Sequence, residues 1–239
     1  MTGAPAVAAR EHRLLTGVAR EVEAVLGSVW ILCDAALPLL ERPGPLLRSD
    51  LLALRPRAVE VLRRHEGLAA GAGVVLAPGV LADADRAIEW WWEDRGAGHE
   101  RLEVDLDPDS AEFYDYTTEE WYREPLHTGR ACIAGPYVDY ICTHEYTFTI
   151  SVPIVSGGRF AGVAGADILA AQVERAVVPE LRSLAGVAVL ASAGGRVIAS
   201  NSARLTAGMV LERPLRELAA RACASAGELP WTLIEGTGR

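Results

Sequence analysis

The chain has 239 residues, half of them hydrophobic, enough for one large domain or two small ones with a packed core and too apolar for a disordered chain. Its net charge is -9, and all 23 of its basic residues are Arg. That balance argues against nucleic acid as the main partner.

In chain order, Val7 to Leu40 reads as a long helix. Leu14, Leu15, Val18, Val22, Val25, Leu26, Val29 and Trp30 recur at the spacing of one helical face. Such a helix either packs along the domain or pairs with a second copy, so a homodimer through it is an expected partnership. Met1 to Ala9 does not read as a secretory signal. No stretch approaches the roughly 20 apolar residues of a membrane span, because the best run, Val29 to Leu40, is broken by Asp34 and Pro38. The expected setting is therefore cytoplasmic and away from the membrane. Arg42-Pro43-Gly44-Pro45 breaks the chain, and a second helix is predicted from about Ser49 to His65, stopping at Gly67.

Gly73 to Ala77 and Ala87 to Glu93 are predicted strands. Ser110 to Thr128 is mixed, with Thr118 placed to cap a helical turn. Ile133 to Tyr140, His144 to Ile154 and Arg159 to Ile168 read as three consecutive strands, with a hairpin turn at Ser156-Gly157-Gly158. Leu169 to Leu184 is a predicted helix. Val187 to Leu190 and Arg196 to Ser200 form a hairpin, Pro214 to Ala224 a helix, and Trp231 to Ile234 a last strand. The expected domains are an N-terminal helix (1–46), a ligand-binding domain (47–184) and a small C-terminal module (185–239).

Twelve of the fifteen aromatic residues lie between Trp90 and Phe148, together with Glu93, Asp94, Asp115, Glu119, Glu120, Asp139 and Glu145. Aromatic faces and carboxylates together suit a small organic cation, each desolvated aromatic contact contributing roughly 0.5–2 kcal/mol. An extended Trp90-Trp91-Trp92 run points to both sheet faces, so at least one Trp lines a cavity wall or an interface. Cys142-x-His144, near Cys132 and Asp139, lacks zinc-ligand spacing, and no Gly-x-Ser-x-Gly or phosphate loop is present. No cofactor, metal or catalytic activity is expected. The cysteines have no CxxC spacing and are expected to be reduced.

Tyr114 to Asp167 resembles the Cache family of PAS-like sensor domains, in its amino-acid and amine-binding double-Cache branch. The matching elements are Tyr114, Trp121-Tyr122, Gly135-Pro136-Tyr137, and Gly162-Val163-Ala164-Gly165-Ala166-Asp167-Ile168, with Thr147 to Ile154 as the strand between. The resemblance implies an α+β fold: a long N-terminal helix, a PAS-like antiparallel sheet, and a small truncated second α/β module. It implies that Tyr122, Tyr137 and Asp167 hold a ligand ammonium, with Tyr114 and Trp121 at the carboxylate end. The family's carboxylate-clasping Arg falls on Glu119. An acid there repels a carboxylate, so the resemblance combined with Glu119 points to a polyamine, monoamine or quaternary ammonium. Amino-acid binding stays open through Arg123 or Arg130, as does a purely structural dimerisation module without a ligand. Cache domains usually sit outside the membrane, whereas this chain reads as a free-standing sensor whose output passes through an unidentified downstream protein.

Overall fold

A computed structural model describes residues 4–94, 98–142, 144–184, 186–212, 224–225 and 230–236. The chain divides into two compact units. The larger comprises Val25–Ala134 and Val138–Leu169, and the smaller Met1–Ala24, Gly135–Tyr137 and Ala170–Arg239.

Helix α1 (Ala4–Glu41) is continuous through Asp34 and Pro38. This corrects the expectation of a broken apolar run: Gly17–Glu41 is long and apolar enough to cross a membrane by length and composition. Part of that apolar surface is a buried stripe, which includes Val25, Val29, Leu32 and Ala36 within the larger unit. The predicted second helix is two elements, a 3-10 segment at Arg48–Leu54 followed by α2 (Arg55–Arg64) with Pro56 in its first turn.

The larger unit is built on a six-stranded sheet in the order β3-β2-β1-β6-β5-β4. The strands are β1 (Ala69–Leu76), β2 (Ala87–Asp94), β3 (Gly98–Arg101), β4 (Cys132–Val138), β5 (Tyr146–Ser156) and β6 (Arg159–Leu169). β1 and β5 each pair antiparallel with β6, and β2 pairs antiparallel with β1. β1 starts four residues before its predicted start. Ala69, Ala70, Gly71 and Ala72 carry little strand propensity, and pairing with β6 supplies what they lack. β3 was not foreseen; its four residues, Gly98, His99, Glu100 and Arg101, carry no apolar pattern.

The sheet presents two faces. On one, Trp91 lies under the Arg55 guanidinium, 4.8 Å from its ring centroid. Beside it the buried Glu89 accepts from Trp91 Nε1 (3.1 Å) and from Arg101 Nε and Nη2 (3.0 and 2.7 Å). The opposite face carries Trp90, Gly71, Gly73, Gly165 and Asp167, along with Thr147, Thr149 and Ser151. Helix α3 (Glu120–Thr128) is fastened there by Ser151 Oγ, which donates to the Trp121 carbonyl at 2.6 Å.

In the smaller unit, α4 (Ala170–Leu181) precedes a four-stranded sheet in the order β8-β7-β10-β9. Its strands are β7 (Val187–Ser192), β8 (Val197–Ser200), β9 (Ala224–Ser225) and β10 (Trp231–Gly236). Asn201 ties this unit internally, donating to the carbonyls of Leu181 and Gly186 at 2.8 Å. The predicted helix at Pro214 to Ala224 lies, but for its last residue, outside the described residues. Ala224 itself is strand.

Candidate functional site

Asp167 is the chemical centre of the larger unit. It sits near the end of β6, opposite Gly71 on β1 and Thr149 on β5, and is only 6 % exposed. Thr149 Oγ1 donates to its Oδ1 at 2.6 Å. Burial, and secondarily the negative charge of Asp139, push the Asp167 carboxyl up to about 8, against the pull of Thr149 and Trp90 toward ionisation. Among the described residues, no basic side chain contributes to that balance. A carboxyl so placed holds its proton at neutral pH.

Glycines shape the space beside it. Gly71, Gly73 and Gly165 form a floor on which the Trp90 indole lies: a Cβ at Gly71 or Gly73 would collide with that ring, one at Gly165 would press on it at 3.2 Å, and the one at Gly71 would also lie 3.0 Å from Asp167 Oδ2. These small residues let a large aromatic reach the buried carboxyl.

Tyr114 and Glu119 face the same acid field. The Tyr114 hydroxyl is pushed far above the ordinary tyrosine range, by burial first, then by Glu119, Asp139 and Asp167. Half-buried Glu119 is raised by its own burial and then by Asp115. Its backbone caps α3, but its side chain makes no cap bond. Thr118, the expected cap, donates instead to the Asp115 carbonyl, and the Asp115 side chain accepts from Thr117 N. The expected capping is corrected accordingly, because the chain forms a 3-10 turn at Tyr116–Thr118 before α3 starts.

Trp121 and Tyr122 are both buried. Tyr122 is the hub of a ring cluster, edge-on to Tyr116, Trp121 and Phe160 at centroid distances of 5.2, 6.2 and 5.4 Å. Burial raises the Tyr122 hydroxyl, and the charge acting on it is that of Arg86. Tyr137 is half-buried on β4, in the short stretch Gly135–Tyr137 that groups with the smaller unit. Arg123 and Arg130 are exposed.

Several participants escaped the sequence reading. Asp139 is buried and accepts from the backbone N–H groups of Ile141 and Cys142, both at 3.1 Å, shaping the β4–β5 loop. The Cys142 thiol is pushed up by burial, then by Asp167 and Asp139. Thr149 had a legible signal, since Thr147, Thr149 and Ser151 place hydroxyls at every second position of an otherwise apolar strand. Asp139 was legible only as one of the acids between Trp90 and Phe148, because its approach to Asp167 is made by the fold. Among the described residues, no three His, Cys, Asp or Glu side chains converge as a metal site.

The α+β fold, an N-terminal helix with a six-stranded antiparallel sheet and a smaller second sheet, is of the PDC/Cache kind. Residues 60–174 match the family model described as methyl-accepting chemotaxis protein-like, first PDC sensor domain. The ligand-binding domain of the Campylobacter jejuni chemoreceptor Tlp3 in complex with L-valine is similar over 97% of this chain and 92% of that one, with a TM-score of 0.62 and 16% identity. The Tlp3 sensory domain with isoleucine bound covers the same shares, at a TM-score of 0.59 and 16% identity. A structure described as methyl-accepting chemotaxis protein X is similar over 96% of this chain and 99% of that one, at 0.58 and 18% identity. No curated protein matches the sequence.

Proposed function

We propose that the larger unit is a sensor domain that binds a small ammonium compound, an α-amino acid foremost, without chemical conversion. The observation that carries this reading is Asp167: a buried acid with one hydroxyl donor, an acid neighbour and no basic partner, which a ligand ammonium would pair. Tyr114, whose hydroxyl feels the Asp167 charge, contributes aromatic surface beside it, and cation–π attraction to such a ring adds to the charge pairing. The likeness to Tlp3 domains with L-valine and isoleucine bound supports the amino-acid class.

A second reading, that the ligand is an amine without a carboxylate, is favoured by Glu119. That side chain stands where the resemblance expects a carboxylate-clasping Arg, and the nearby Arg123 and Arg130 point no buried cation at the site. A thermal-shift panel decides between them: L-valine, L-isoleucine and L-ornithine against isobutylamine and putrescine, each with the wild type and Asp167→Asn. Ligand at about 100 times its dissociation constant stabilises by about 2.7 kcal/mol. Shifts with the amino acids that vanish in Asp167→Asn support the first reading. Shifts with the amines alone select the second. Stabilisation that survives Asp167→Asn refutes both.

A further inference from the structure

Two polar atoms on the Asp167 face of the sheet are buried without a hydrogen bond: Trp90 Nε1 and Thr147 Oγ1. The Trp90 side belongs to a residue 6 % exposed, and Thr147 is 0 % exposed. Thr147 lies two residues from Thr149 on β5, so it shares the face on which Thr149 reaches Asp167. A third group with unmet atoms, the Arg86 guanidinium, lies at the other end of the face over the Phe113 ring, and Asp85 stands 3.9 Å from its Nε. The first two are concentrated where the buried acid is.

The indole N–H is a donor only, and a buried donor left unmet is unfavourable, so it calls for an acceptor. The Trp90 N–H is a close enough neighbour of Asp167 to favour its ionised form, yet it makes no hydrogen bond of full geometry. A Cβ at Gly71 would stand 3.0 Å from Asp167 Oδ2 and closer still to Trp90 Nε1, so the two atoms are less than twice that distance apart. A donor and an acid no further apart than that can be bridged by a molecule whose ammonium and acceptor oxygen are on neighbouring carbons. The ring lies close over the sheet, where a Cβ added at Gly73 or Gly165 would stand 2.9 or 3.2 Å from its atoms.

We propose that Trp90 is a specificity-determining residue of this site: its N–H reads an acceptor oxygen on the carbon next to the ligand's ammonium. This rests on Asp167 taking that ammonium. The class so defined is the vicinal amino-oxygen compounds, α-amino acids and 1,2-amino alcohols. Plain amines and diamines leave the indole N–H unmet and bind more weakly. The selection for an oxygen then needs no cation at position 119, since a neutral N–H accepts a carboxylate, a carbonyl or a hydroxyl alike.

The test is calorimetric titration of L-valine, L-valinol and isobutylamine into the wild type, Trp90→Phe and Asp167→Asn. Trp90→Phe keeps a ring on the glycine floor and removes the donor. The wild type is expected to bind L-valine and L-valinol about tenfold more tightly than isobutylamine, the worth of one hydrogen bond. Trp90→Phe is expected to erase that preference and leave isobutylamine unchanged, while Asp167→Asn weakens all three. Equal loss for all three ligands in Trp90→Phe would show a packing role and overturn the proposal, as would no change at all, which would mean water satisfies the N–H. Wild type binding isobutylamine as tightly as L-valine overturns it without any variant, should Trp90→Phe not fold. Loss of the oxygen preference with Asp167→Asn inert, or no binding of any of the three, would instead sink the reading of Asp167 on which the proposal rests.

Discussion

Replacing Asp167 by Asn should stabilise the unliganded protein, and the gain should grow with pH. In the folded chain the carboxyl is pushed up to about 8, from an ordinary value of 3.8. The folded state thus keeps a proton that the unfolded state has released, and stability falls as pH rises between those values, by about 1.4 kcal/mol per pH unit. At pH 5 the penalty is about 2 kcal/mol. At pH 7, roughly three units above the ordinary carboxyl value, it approaches about 4 kcal/mol, an upper bound because water drawn to the carboxylate relieves part of it. Asn is isosteric, stays neutral, and its Oδ1 can still accept from Thr149 Oγ1. The assay is urea unfolding of both proteins at pH 5 and pH 7. Other acids with raised values, such as Glu119, are present in both proteins and cancel in the difference. A stability difference that does not widen from pH 5 to pH 7 would refute the assignment of Asp167 as a buried, cation-free acid.

The same linkage predicts that ligand binding expels a proton: at pH 7 an arriving ammonium ionises Asp167, so calorimetric enthalpies in buffers of different ionisation enthalpy should report release of about one proton, falling toward zero above pH 9. A Cβ at Gly73 would collide with the Glu89 carbonyl and lie 2.7 Å from the Trp90 Cα, both backbone atoms, so Gly73→Ala should cost about 3 kcal/mol in urea unfolding. An unchanged midpoint would mean that β1 and β2 are free to part.

Much of the architecture was legible because it rests on local pattern. The periodicity of α1, the β-prone runs of β5 and β6, and the Ser156-Gly157-Gly158 turn are all fixed by neighbours in sequence. The family resemblance carried by Tyr114, Trp121, Tyr122 and Asp167 pointed to the fold, and the structure brings Tyr114, Glu119 and Asp167 into one electrostatic neighbourhood. What the sequence could not show arises between strands far apart in the chain. β1 exists because β6 and β2 pair with its small residues, and the same smallness makes the floor under Trp90. Asp139 became a neighbour of Asp167 only when the β4–β5 loop folded back, and Tyr122 joined a ring cluster with Tyr116, Trp121 and Phe160. Local propensity and residue type determined which acids and aromatic rings this chain carries between Trp90 and Phe148. Tertiary packing decided which of them lost water, and burial is what turns an ordinary aspartate into one that holds its proton at neutral pH.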